Sequence, residues 1–113
     1  MIGVKNYEVL ESLQVEWHPK LRKIVEWLCK YKEHVVITCG YEKRNYASTH
    51  SVIPLRAIDI RSWIYRDPAE LCTIINNIWI YDPNRPAKLC AMYHDSGSGF
   101  HIHIQIHEDT VRV

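Results

Sequence analysis

The chain is expected to fold as one small α+β domain, a mostly antiparallel sheet carrying two main helices. Three observations lead there. Two segments place apolar residues at helical spacing, and short β-branched runs lie between and after them. Asp95-Ser96-Gly97-Ser98-Gly99 separates two strand-like runs and reads as a tight hairpin connection. A length of 113 residues suits one hydrophobic core but not two, so residues 1–113 form a single domain.

The elements follow in order. Residues 4–15 carry a mixed apolar pattern that fits a short helix followed by a turn. Pro19 suits a first helical turn, and Leu21, Ile24, Val25 and Leu28 recur along one face, giving a helix over 19–32. His34-Val35-Val36-Ile37-Thr38 is β-branched and reads as a buried strand ended by Gly40. Tyr41 to Thr49 is a polar loop, and Arg56-Ala57-Ile58-Asp59-Ile60 is a second strand. Asp67-Pro68 pairs an N-cap with a first-turn proline, and Leu71, Ile74, Ile75 and Ile78 continue a helix over 68–79. Asp82-Pro83-Asn84-Arg85-Pro86 is a turn that cannot extend it. Lys88 to Tyr93 reads as a strand, and residues 99–107 as the last one.

Composition narrows the function. A net charge of +1, with no basic run, gives no footprint for nucleic acid. No stretch has the apolar length of a membrane span or the pattern of a signal peptide, so a soluble protein made in the cytoplasm is expected. Cys29, Cys39, Cys72 and Cys90 are irregularly spaced, and read as small hydrophobes in a reducing compartment.

The chemistry concentrates in the last strand. Alternation puts His101, His103, Gln105 and His107 on one side of it, and Ile102, Ile104 and Ile106 on the other. Imidazoles two apart on a strand can converge on one ion. Asp59 lies on the polar side of a short strand, nine residues after His50. His50, Asp59 and His103 thus form a three-ligand set that leaves a fourth position for water, as in a catalytic zinc site. His101, on the same face as His103, is placed to act as general base and acid. Trp63 follows Asp59 closely and is a candidate wall of the cleft. His18, His34, His94 and His107 read as structural or surface residues, and Arg56 as an ion-pairing one.

Taken in order, Ser48-x-His50, Ala57-x-Asp59 and His101-x-His103 resemble the zinc D-alanyl-D-alanine peptidases. That superfamily also includes murein endopeptidases, phage endolysins and the hedgehog signalling domain. Val35-Val36-Ile37-Thr38-Cys39-Gly40-Tyr41 is similar to the strand and turn before the family's first ligand, and the resemblance covers residues 19–107. It implies a hedgehog/D-Ala-D-Ala peptidase-like fold, a zinc cofactor, and hydrolysis of a peptide or peptidoglycan substrate. It implies His50, Asp59 and His103 as zinc ligands and His101 as the histidine assisting beside the metal. Ser48 would support the metal site or meet the substrate. No Glu precedes His103 where one branch of the family has it, which points to the branch using His101.

Two positions depart from the pattern. The family's His and Asp stand seven apart with a Gly between; here they stand nine apart, with Leu55 in the Gly position. Glu42 replaces an Arg that grips the substrate, leaving Lys43 or Arg44 for that role, of which Arg44 has the guanidinium fork. Both departures fit a second expectation, a non-catalytic zinc domain of the same fold. A third comes from His101-Ile102-His103-Ile104-Gln105, which also resembles the His-x-His-x-Gln element of histidine-triad nucleotide hydrolases and transferases. The absence of an export pattern suits a phage-encoded domain, an expectation drawn from the resemblance alone.

Overall fold

Helix signals in the sequence operate where they were expected. The computed structural model describes residues 2–95, 97 and 99–113; Met1, and Ser96 and Ser98 of the expected hairpin connection, lie outside the described residues. Its elements are β1 (Ile2–Val4), α1 (Tyr7–Ser12), α2 (Pro19–Tyr31), β2 (Val35–Cys39), a 3-10 turn (Thr49–Ser51), β3 (Ala57–Arg61), α3 (Pro68–Ile78), β4 (Trp79–Ile80), β5 (Ala91–Asp95), β6 (Phe100–Gln105) and β7 (Val111–Arg112). His18 caps α2 by accepting the Lys20 N–H at 3.1 Å, and Asp67 caps α3 by accepting the Glu70 N–H at 3.0 Å. Pro19 and Pro68 fill the first helical positions, where a missing N–H leaves no bond unmade.

The two main helices are α2 and α3, and the short helix expected within residues 4–15 is α1, capped by Asn6 and burying only Val9. Strands β1, β4 and β7, of two or three residues, are too short to show alternation in sequence. The expected strand over Lys88–Tyr93 is displaced to Ala91–Asp95. Asn76 of α3 accounts for where it begins. Its side chain holds both the N–H and the C=O of Ala91, each at 2.9 Å.

Five strands form one sheet in the order β1-β2-β3-β6-β5, and β4 pairs with β7 in a separate ribbon. The β1–β2 pair is parallel and every other pairing antiparallel. Val35, Ile37, Ile58, Ile60, Ile102 and Ile104 belong to one buried cluster with Leu21, Ile24, Leu28, Leu71 and Ile75 of α2 and α3. Each such side chain stabilises the fold by about 1.5–3 kcal/mol. Both long helices therefore cover one face of the sheet. Alternation leaves Asp59, Arg61, His101, His103 and Gln105 on the other.

Two local features bring further residues to that open face. The β2–β3 register shifts between Ile37 and Cys39, so that Ile37 pairs with Ile60 but Cys39 pairs with Asp59. One extra residue in a strand re-aims the side chains beyond it, and here it carries Cys39 to the face of Asp59. The second feature is the segment between His50 and Asp59. Leu55 is fully buried and its backbone bonds to Glu16 at 2.7 Å and His18 at 2.9 Å, while Ile53 stays exposed. The segment bends around Pro54 and is pinned by Leu55 before β3 starts. Among the described residues, no helix is long and apolar enough to cross a membrane.

Candidate metal centre

Cross-strand register assembles the site. Asp59 of β3 lies opposite His103 of β6, and Arg61 lies opposite His101. Directly opposed residues share a face with Cβ atoms about 4.5–5.5 Å apart. His50 arrives from the 3-10 turn, whose N-cap Ser48 accepts the His50 N–H at 3.2 Å. The His50 side chain is almost fully buried, and those of Asp59 and His103 nearly so.

The outer nitrogen of each ligand-type histidine is tied down. His50 Nδ1 lies 2.8 Å from the Gly40 carbonyl, which only accepts, so Nδ1 carries the proton. Gln105 donates its amide N–H to the Leu89 carbonyl at 2.9 Å, leaving Oε1 to accept from His103 Nε2–H at 3.1 Å. The inner nitrogens then present lone pairs. His50 Nε2 stands 3.1 Å and His103 Nδ1 2.9 Å from Asp59 Oδ1, and the two nitrogens stand 3.3 Å apart.

Three electron-pair donors at such separations require positive charge between them. Ligands 2.0–2.1 Å from a tetrahedral zinc stand about 3.3 Å apart, so the donor triangle matches one face of that polyhedron. Without a metal, protons meet the need. Burial lowers the His50 pKa, but hydrogen bonds and charge from Asp59 and Cys39 outweigh it and push the imidazole up to about 10. Burial likewise opposes ionisation of Asp59, yet the bonds from His103 and His50 hold its carboxyl well below the usual range.

His101 flanks the same carboxylate. Its Nε2 lies 3.6 Å from Asp59 Oδ2, and its Nδ1 3.4 Å from the Gly99 carbonyl. His94, read from sequence as a surface residue, is exposed, and its ring lies tilted 4.7 Å from that of His101 and edge-on 6.0 Å from that of His103. Burial and the neighbouring His101 and His103 lower its pKa.

Cys39 requires a correction. It is a half-exposed thiol beside the site rather than an inert core residue, with Sγ 3.7 Å from His50 Nδ1 and 3.6 Å from Glu42 Oε2. Cys39, His50 and Asp59 each place a donor atom within 4.8 Å of the others, a group able to hold a metal ion. A second group, Asp82, His107 and Asp109, has the same compactness. Its donors are already engaged, Asp82 by Arg85 Nε at 2.8 Å and His107 Nδ1 by the Asp109 N–H at 3.2 Å.

A cleft of about 640 Å³ opens beside the centre, with Asp59, Cys39 and His101 in its wall together with Lys5, Arg44, Arg61, Trp63 and Phe100. Trp63 is 74% exposed and lines it, as does Arg44. Ser48 supports the turn that bears His50. Its hydroxyl accepts both the His50 N–H and Arg44 Nη1 (2.8 Å), so it ties the ligand-bearing turn to the guanidinium. Sequence reasoning missed Gly40 and Cys39, and gave Gln105 no role at the metal. A signal existed only for Gln105, which shares the histidine face two residues after His103. Comparison with protein-family models, curated proteins and solved structures found no match for this chain.

Proposed function

We propose that the chain is a zinc-dependent peptidase that hydrolyses a peptide bond in a short peptide, such as a peptidoglycan stem peptide, within a hedgehog/D-Ala-D-Ala peptidase-like fold. The observation carrying this reading is the convergence of His50 Nε2, His103 Nδ1 and Asp59 Oδ1, with both outer ring nitrogens anchored. Zinc bound there supplies Lewis acidity and a water of lowered pKa, as three-ligand sites do. Asp59 and the two histidines would hold the ion, while Gly40 and Gln105 fix ring orientation and tautomer. His101 Nε2 takes the proton released on attack and returns it to the leaving amine, its Nδ1–H directed at Gly99. Arg44 and Trp63 receive the substrate in the cleft. Both ring nitrogens of His103 face protein groups, which favours a ligand over a phosphate-attacking histidine.

Elemental analysis of the wild type beside Asp59→Ala is the first test. About one zinc per chain, lost in the variant, is expected, and no zinc after reconstitution refutes the reading. His101→Ala should keep its zinc and lose roughly 10²–10⁴-fold in hydrolysis, the usual share of a general acid–base group. One observation favours a second reading, a non-catalytic zinc domain. Cys39 Sγ lies within 4.8 Å of a donor atom of His50 and of Asp59, so a thiolate is at hand as a further ligand. Cobalt(II) substitution separates the two, since a thiolate ligand adds an intense near-ultraviolet band that Cys39→Ser abolishes.

A further inference from the structure

The cleft beside the centre carries an imbalance of charge that the metal set does not use. Lys5, Arg44 and Arg61 line it, against the carboxylates of Glu42 and Asp59. Asp59 is committed to three histidines, and Glu42 to Arg44 at 3.5 Å. Arg44 is further held by Ser48, and its buried Nε has no partner among the described residues. Arg61 and Lys5 make no ion pair among the described residues. Their charges face the cleft uncompensated, and a bound dication would add to them.

Arg61 is the better placed of the two. It ends β3, two residues after Asp59 on the same face and directly opposite His101. Its side chain therefore leaves the strand about 6–7 Å along from that of Asp59 and about 5 Å across from the His101 Cβ. The exposed Trp63 ring, 5.0 Å from the guanidinium carbon, lies beneath it and limits its rotamers. Lys5 follows the short edge strand β1, where its N–H bonds the Ile37 carbonyl at 2.9 Å. Phe100, 58% exposed, adds an apolar surface to the same cleft.

We infer that Arg61, supported by Trp63 and Lys5, binds a carboxylate of the peptide substrate next to the scissile bond, so that acidic peptides are the preferred class. A guanidinium fork matches a carboxylate in two parallel hydrogen bonds, where an amide offers only a neutral acceptor. This rests on the peptidase reading above, and is tested by a binding measurement that does not share its fate. The probes are acetylated pentapeptides Ala-Ala-Glu-Ala-Ala and Ala-Ala-Gln-Ala-Ala, each as the free acid and as the C-terminal amide.

Calorimetric binding to zinc-loaded His101→Ala protein, which does not turn over, reads recognition alone. The acidic member of a pair is expected to bind about 10- to 100-fold more tightly, the span of a charge-assisted hydrogen-bond pair. Arg61→Gln should erase most of that difference without weakening the neutral peptide, and Lys5→Gln a smaller part. An advantage in the Glu/Gln pair assigns a side-chain carboxylate, and one in the acid/amide pair the terminus. Equal binding of acidic and neutral peptides, or a preference that survives Arg61→Gln with Lys5→Gln, overturns the inference. Binding with no hydrolysis by the wild type would instead sink the peptidase reading while leaving carboxylate recognition standing.

Discussion

Gln105→Leu isolates the part of the site that orients a ligand without touching the ion. In the wild type, Gln105 Oε1 receives His103 Nε2–H at 3.1 Å, which keeps the lone pair on Nδ1 and aims it at the cluster. Leucine is one bond shorter and offers no acceptor. The ring then turns more freely and samples the wrong tautomer. Losing such an outer partner lowers metal affinity by roughly 10- to 100-fold, about 1.4–2.8 kcal/mol. The fold itself should hardly change. The Leu89 carbonyl that Gln105 also satisfies belongs to an exposed residue and recovers a water. Competition against a fluorescent zinc chelator gives the affinity, and thermal melting of metal-free protein gives the stability. Gln105→Glu is the partner variant, because its carboxylate keeps the acceptor and raises the basicity of the ring. It should bind zinc at least as tightly as the wild type. Wild-type affinity in Gln105→Leu, or an equal loss in both variants, would refute the orienting role.

Two further predictions concern the scaffold around the site. A methyl group added at Gly40 would meet Leu13 Cδ2 and Ser12 Oγ, each at 2.6 Å, and Ser12 is held by its bond to the Val9 carbonyl. Gly40→Ala should therefore lower the urea midpoint by an amount worth about 1–3 kcal/mol, and weaken zinc binding by shifting the carbonyl that anchors His50. The second concerns alkaline pH. Burial pushes the Cys72 thiol up to about 11 and the Cys90 thiol to about 12, from an ordinary value of 9.0. Their folded-state pKa values are raised, so the stability they contribute is full below pH ~9 and is lost as pH rises through the folded values. Between pH ~9 and ~11 the unfolded chain releases protons that the folded chain keeps, at about 1.4 kcal/mol per pH unit for each thiol. Denaturation midpoints of the wild type should fall over that range more steeply than those of a Cys72→Ala, Cys90→Ala double variant. Parallel pH profiles would show that neither thiol is buried as described.

Much of this molecule was legible before folding because its signals are local. The caps at His18 and Asp67, the prolines after them and the isoleucine alternation of β6 depend on residues within a turn or two of each other. Strand periodicity alone put His101 and His103 on one face, and Asp59 on the polar side of its own strand. What sequence could not supply was distance. His50 meets Asp59 at 3.1 Å because Leu55 anchors the intervening bend in the core, a packing event that no spacing rule contains. Cys39 reaches the open face only through a one-residue register shift against β3, and Gly40 becomes a histidine anchor only once β2 lies beside that strand. The uncompensated charge of Arg61 appears when β1, β3 and β6 bring Lys5, Arg61 and His101 around one cleft. Periodicity along a strand is a property of the backbone and is written in order. Convergence across strands depends on register and burial, which exist only after the chain has closed.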